Sequence, residues 1–334
     1  MQNKQKFVND PVNVVPEMLE GLVLANPDTL EWVPEFNIIH VKGGADSARV
    51  AVIQGSGSGH EPAHVMAVGK GMLDAAVPGN VFAAPSMDQC LACIRLMNGP
   101  GGVVYIVNNY QGDRMNWDMA QEMAEMEGVK VGRVLIDDDV SVQDSSYTTG
   151  RRGVAGNFFA IKAMGAASQR GASLEELVAM GEKVNANVRS MGVSLSGCRP
   201  PAKDEPIFTL ADGEMEFGVG IHGEPGRARL ATKPADEIMA DVFALVAGDL
   251  PLKQGDRVAV MVNGLGGTPI GELYLLYRKA AMLCAESGFE IVRNYVGEYC
   301  TALEMNGFSL TLLRLDAELE ELLAAPAEVP IRVF

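Results

Sequence analysis

Three side chains carry the chemistry that this sequence can offer. They are His60 at the end of GSGSGH, Asp113 in NNYQGDRMNW and His222 in EFGVGIHGEPG. A neutral imidazole nitrogen can add to a carbonyl carbon, and an imidazole titrating at about 6.5 is also an acid or base near neutrality. A carboxylate beside it can take a proton from a reacting hydroxyl. His60 follows a β-branched run that ends in glycines, where backbone amides lie open and small residues let a ligand approach. Asp113 follows the run GVVYIV, and His222 closes another strand-like run. In open α/β sheets ligands bind at the C-terminal ends of strands, so His60 and Asp113 are expected on one edge of one sheet. On spacing alone, a histidine in a Gly-rich turn is also an ordinary hydrogen-bonded loop residue, and an aspartate after glycine also a turn former. The other two histidines, His40 and His64, are read as structural.

Several other patterns lead elsewhere. His60-Glu61-Pro62-Ala63-His64 has the letters of H-E-x-x-H, a zinc signature that needs both histidines on one helix face. Pro62 fits only the first turn of a helix, so His60 falls in the loop, out of register with His64, and no metal is expected. GSGSGH lacks the third glycine of a dinucleotide fingerprint, and no G-x-x-x-x-G-K-[ST] is present. GLGGTP (264–269) reads either as amides cradling an anion or as a tight strand-to-helix turn. Cys90 and Cys93 form a C-x-x-C inside an amphipathic helical pattern, and the reading is buried helix thiols. Five cysteines without an export signal point to reduced thiols in the cytoplasm.

The elements that must position these groups alternate. Arg49–Gln54, Gly102–Val107 and Gly132–Asp137 read as strands, with helices from Ser86 and Trp117 between them. That alternation predicts an α/β fold with a parallel sheet covered on both faces. Residues 157–191 read as largely helical, and the Ser-, Gly- and Pro-rich stretch 191–206 as a boundary or crossover. A second α/β set follows: helices at 235–248 and 270–288, strands at 257–264, 289–297 and 308–316, and a closing acidic helix. Two α/β domains are expected, each with a central sheet flanked by helices: residues 1–190 with the Gly-rich loop, and 191–334 with His222. The 334 residues suffice for two cores, and the net charge of −16 argues against nucleic acid or an anionic membrane as partner. The N-terminal MQNKQKFVNDPVN has no apolar stretch of signal-peptide type.

Taken in order, GSGSGHEPAH (55–64), NNYQGDRMN (108–116), DSSYTTGRRGVAG (144–156), EFGVGIHGEPG (216–226), VNGLGGTP (262–269) and GEYCTALEMNGFSLTLLRLD (297–316) span nearly the whole chain. The chain resembles, in these segments, the dihydroxyacetone-binding subunit of bacterial dihydroxyacetone kinases that draw phosphate from the sugar phosphotransferase system. The resemblance implies a homodimer of two-domain α/β subunits. It implies that His222 holds the ketose covalently as a hemiaminal, with His60 and Asp113 as acid–base residues and Gly57, Ser58 and Gly59 around the substrate. It places ADP or ATP and Mg on a separate subunit, recharged by a phosphocarrier subunit, with no cofactor in this chain. The family's K-N-Y-x-G-D motif has Asn108 in the lysine position here, which keeps donor and acceptor capacity but loses the charge. Dihydroxyacetone, a four-carbon ketose such as erythrulose, or a regulatory paralogue that binds ketone and controls a partner therefore all remain open. Arg151 and Arg152 either face a partner's phosphates or form a surface turn with ordinary salt bridges.

Overall fold

The computed structural model describes residues 6–46, 48–142, 150–331 and 333. The start of the DSSYTTGRRGVAG segment (144–149) and the first five residues lie outside them. The chain begins with α1 (Val14–Ala25) and the hairpin β1 (Leu30–Val33) and β2 (Ile38–Val41). It continues through β3 (Ala51–Gln54), β4 (Ala75–Ala76), α2 (Met87–Met97), β5 (Val103–Asn108), α3 (Gln111–Met126) and β6 (Val131–Ile136). These strands form one sheet in the order β1-β2-β4-β3-β5-β6. The stretch from β4 through β3 and β5 to β6 is parallel, as the alternating strand and helix patterns predict. β3 and β5 are buried at every residue, because helices cover both faces. α2 carries Cys90 and Cys93 on its buried face, and its N-terminus is closed by a Ser86–Gln89 capping box.

α4 (Asn157–Gln169) and α5 (Leu174–Asn187) follow, and then the second sheet. Its elements are β7 (Val188–Ser194), β8 (Glu214–Phe217), β9 (Ala228–Ala231), α6 (Ala235–Asp249), β10 (Arg257–Gly264), α7 (Ile270–Glu286), β11 (Glu290–Gly297), β12 (Gly307–Leu315) and α8 (Ala317–Ala324). The strand order is β11-β10-β12-β7-β8-β9. Only the β10–β11 pair is parallel.

Two sequence expectations need correction. The helical reading of 157–191 runs too far, because α5 stops at Asn187 and Val188 opens β7. The three-to-four spacing of buried residues ends at Val184, and the run Val-Arg-Ser-Met-Gly-Val-Ser pairs with β12 instead. The division at 190/191 thus falls inside a strand of the second sheet. The strand-like run before His222 is also shorter than read: β8 ends at Phe217, where Gly218 takes φ 93° and turns the chain out of the sheet. His222 therefore stands on a loop beyond the strand.

The two sheets share a core. α4 is buried from Asn157 through Ser168, and one apolar cluster joins it to Val104 and Ile106 on one side and to Met261, Tyr295 and Leu313 on the other. Phe158 meets Tyr295 and Tyr299 edge-on at 5.2 and 4.9 Å between ring centroids. The C-terminal segment returns to the first sheet's side: Ile331 N–H donates to Met66 O, and the buried Lys162 ammonium donates to Leu322 O at 2.8 Å. This packing fixes the loop edges of both sheets against each other, which a site built from both requires.

Candidate active site

The Gly-rich loop leaves β3 at Gln54 and is held from several sides. Trp117 Nε1–H donates to Gly55 O at 2.9 Å, and Ser58 Oγ donates to Gly79 O at 2.7 Å. Gly57 and Gly59 pass under Ala83 and the Phe82 ring, with too little space for a side chain. The loop ends on His60, which is fully buried. Its Nδ1 lies 2.7 Å from Thr301 O, on the connection between β11 and β12. A carbonyl can only accept, so His60 Nδ1 carries hydrogen.

His222 arrives from the second sheet. The loop after Gly218 folds so closely that a Cβ on Gly220 would lie 2.0 Å from Glu224 Oε2 and 2.7 Å from an Arg152 nitrogen. Glu224 accepts from the His222 backbone N–H at 3.0 Å and from the His222 Nδ1 at 2.8 Å. The opposite ring nitrogen, Nε2, lies 3.0 Å from His60 Nε2. Thus the two histidines singled out in the sequence, 162 residues apart, meet nitrogen to nitrogen. Aromatic faces frame the pair: Phe82 stacks on His60 at 5.2 Å, and Tyr110 stands edge-on to His222 at 4.7 Å.

Asp113 does not sit at the strand end itself. It lies in the first turn of α3, which starts six residues earlier than the tryptophan from which the sequence suggested a helix, just past the C-terminus of β5. β5 pairs directly with β3, so Asp113 and His60 share one sheet edge as expected. Its Oδ1 is buried without a hydrogen-bond partner among the described residues. Burial raises its pKa to about 6, against the opposing pull of His222 and the Ser56 hydroxyl.

The rings differ in charge preference. Burial and the neighbouring His222 push the His60 pKa well below its ordinary value. Burial also opposes charge on His222, but Glu224 and then Asp113 outweigh it and raise the pKa. Glu224 is buried too, yet His222 and Arg152 hold it at about 2.

Arg152 is wholly buried behind Glu224. Its Nε donates to Asp139 at 2.8 Å, and its Nη2 donates to Ser141 Oγ at 2.6 Å and Gly218 O at 2.7 Å. It thus fits neither sequence reading, being neither at a surface turn nor open to a partner. Arg151 forms a two-pronged pair with Asp249 at 2.6 Å, which Arg189 also joins, and matches the salt-bridge reading. In GLGGTP the amides of Gly266 and Gly267 donate to Glu298 and Met305 O, so the segment is the tight turn.

The remaining residues are placed as follows. Asn108 ends β5, 1% exposed; its Oδ1 accepts from Asn157 at 3.4 Å and its Nδ2 has no partner among the described residues. His40 Nδ1 bonds Val41 O, and His64 is buried with neither ring nitrogen partnered among the described residues. Residues 61–64 form turns rather than a helix, so His60 and His64 share no helix face. Among the described residues no three His, Cys, Asp or Glu side chains are grouped to hold a metal ion, and no helix is long and apolar enough to cross a membrane. Sequence reasoning missed Glu224, whose signal is its place two residues after His222. It also missed Thr301, which acts through a carbonyl and leaves no mark on residue type.

With this geometry in hand, the comparison with known proteins is decisive: the sequence profile of the Dak1 domain matches residues 20–331. The chain belongs to the Dak1 domain family. It is 43% identical over 314 residues to the PTS-dependent dihydroxyacetone kinase 1, dihydroxyacetone-binding subunit DhaK, of Listeria innocua, covering 94% of this chain and 95% of that one. The PEP-dependent dihydroxyacetone kinase, dihydroxyacetone-binding subunit DhaK, of Escherichia coli is 42% identical, with 98% of each chain covered. Among solved structures, the dihydroxyacetone kinase of C. freundii superposes with a TM-score of 0.90 at 35% identity, covering 99% of this chain and 60% of that longer one. Less similar Dak1 relatives include a D-erythrulose kinase of Mycolicibacterium smegmatis, 38% identical over 97% of this chain and 56% of that one. A solved dihydroxyacetone kinase operon co-activator also superposes, with a TM-score of 0.88 at 33% identity, covering 93% and 96% of the two chains.

Proposed function

We propose that this Dak1 chain is the ketose-binding subunit of a dihydroxyacetone kinase and holds its substrate as a hemiaminal on His222. The observation that carries this reading is the His60–His222–Glu224 line, with Nε2 to Nε2 at 3.0 Å and Nδ1 to carboxylate at 2.8 Å. Glu224 stabilises positive charge on the His222 ring, which is what an imidazole nitrogen acquires on adding to a carbonyl. The bond fixes the ketose and removes entropy from the next step. It also rejects glycerol, which has similar hydroxyls but no carbonyl. His60 and Asp113 then serve as the proton acceptors for the terminal hydroxyl that attacks phosphorus. The buried Asp113 Oδ1 and Asn108 Nδ2, unpartnered among the described residues, are an acceptor and a donor for substrate hydroxyls.

The phosphate comes from ADP or ATP with Mg on a separate subunit, recharged by a phosphocarrier subunit, and the chain acts as a homodimer in the cytoplasm. The names and full-length similarity of the bacterial relatives support this division of labour. A four-carbon ketose is the second reading, favoured by the uncharged Asn108 in a position where the resemblance expects lysine. A purely ketone-sensing role is less well supported, because sensing needs His222 but not the acid–base pair of His60 and Asp113. Gentle native mass spectrometry after incubation with dihydroxyacetone, erythrulose or glycerol tests the reading. One ketose per chain is expected, lost in His222→Ala, with none from glycerol. Absence of any ketose adduct, or its persistence in His222→Ala, overturns it.

A further inference from the structure

The hydrogen-bond geometry of the two histidines fixes a proton count. His60 Nδ1 must carry hydrogen, because its partner among the described residues is the Thr301 carbonyl. His222 Nδ1 must also carry hydrogen, because its partner is the ionised Glu224 carboxylate. Two neutral rings would then turn two bare lone pairs toward each other across 3.0 Å, one on the fully buried His60 and one on the partly buried His222. That arrangement is repulsive and leaves the buried acceptor on His60 unsatisfied. We infer that the ketose-free site stores one extra proton between His60 Nε2 and His222 Nε2, and that this proton finishes on the former carbonyl oxygen of the ketose.

The charges around the pair favour the stored proton on the His222 side. Glu224 and Asp113 face His222 with negative charge, and Arg152, offset by Asp139, stands behind Glu224. His64 and the more distant Glu224 act on His60. Glu61 is turned onto the Gly59 amide, and the Phe82 and Tyr110 rings add no charge. The pair thus shares one proton, with His222 as the donor and His60 as the acceptor, and any titration belongs to both rings.

The last step rests on the hemiaminal reading above, and it balances. The shared proton moves from His222 Nε2 to His60 Nε2, freeing the His222 lone pair. That pair forms the bond to the carbonyl carbon, and the π electrons move to oxygen. The proton on His60 passes to that oxygen, which becomes a hydroxyl. His222 ends as an Nε2-substituted imidazolium whose Nδ1–H stays on Glu224. His60 ends neutral with Nε2 bare, ready to accept the proton of the terminal hydroxyl. The ring pair carries one positive charge before and after, so no proton is exchanged with solvent.

Nitrogen-15 and proton NMR on the full chain with labelled histidine rings, free of ketose, tests the stored proton. His40→Gln and His64→Gln assign the other rings. At pH 7 three protons are expected on the four nitrogens of the pair, lost to two in a single step on raising the pH. Glu224→Gln keeps an acceptor for Nδ1 but removes the charge, and it should move that step down by a pH unit or more. Two protons on the pair at pH 7 in the native protein overturn the inference, whatever the variant does. Calorimetry of dihydroxyacetone binding at pH 7 in two buffers of different ionisation enthalpy tests the step: equal heats are expected, and buffer-dependent heats overturn it. A chain that shows the third proton but takes up no ketose keeps the stored proton and sinks the hemiaminal reading. An adduct formed by a chain with two neutral rings does the reverse.

Discussion

The two walls of the site treat the same kinds of side chain in opposite ways. On the wall from the first sheet, burial works against charge: His60 is pushed well below its ordinary pKa and Asp113 up to about 6. On the wall from the second sheet, partners outweigh burial: His222 is raised and Glu224 is held at about 2. The difference lies in what each group meets. His60 finds a neutral carbonyl and Asp113 has a buried oxygen with no partner among the described residues, whereas His222 and Glu224 find each other with Arg152 behind. In the proposed reaction, a histidine and a carboxylate on each wall divide the labour. There the desolvated wall exchanges protons, and the ion-paired wall carries the charge of the covalent intermediate.

Substitutions can break this contrast. The largest effect is expected from His222→Ala, which should abolish the covalent adduct while leaving the fold intact, because the ring stands on a loop beyond β8; native mass spectrometry and circular dichroism check both. His60→Ala should lower phosphoryl transfer by roughly two to four orders of magnitude, the usual span for loss of a general base, as measured with the complete kinase assembly. Glu224→Gln should weaken ketose retention by about tenfold or more, since one pKa unit on the His222 cation corresponds to a factor of ten. An unchanged adduct yield in Glu224→Gln would mean that the second wall is not held by its charge pair.

His64 sharpens the contrast, because it is buried with no hydrogen-bond partner among the described residues. Its folded pKa is lowered to about 3, from an unpaired value of 6.5. A depressed value means that the unfolded chain binds the proton first. The contribution of His64 to stability is therefore full above pH 6.5 and drains away as the pH falls toward about 3, at about 1.4 kcal/mol per pH unit. His64→Leu should fall less steeply between pH 6.5 and 5 in urea denaturation, by one proton. The smallest effect is expected for Asn108→Lys, which should shift the relative rates for dihydroxyacetone and erythrulose more than it shifts the melting temperature. Equal relative rates would remove Asn108 from the specificity positions.

Much of this was legible in residue order. Alternating apolar strands and helices place β3 and β5 side by side, and that adjacency brings His60 and Asp113 to one edge. The exclusion of a helical H-E-x-x-H from Pro62 matches the turns at 61–64. What stayed hidden depends on contacts distant in sequence. Nothing in EFGVGIHGEPG says that His222 faces His60, because the shared core around α4 sets that approach. The Thr301 partner is a backbone carbonyl, and the burial of Arg152 follows from the fold of a loop that carries Gly218 and Pro225. β7 was hidden for a local reason: its Val188 follows α5 without a glycine or proline to mark the change.

The central claim is that His222 turns the carbonyl carbon of a ketose into a tetrahedral, nitrogen-bound centre. Carbon-13 NMR of the full chain with dihydroxyacetone labelled at its carbonyl carbon reads this directly. The bound signal should leave the ketone region for that of a carbon bearing nitrogen and oxygen, and split when the His222 ring is nitrogen-15 labelled. A bound ketose whose carbon stays in the ketone region, or whose shifted signal survives in His222→Ala, would contradict the account.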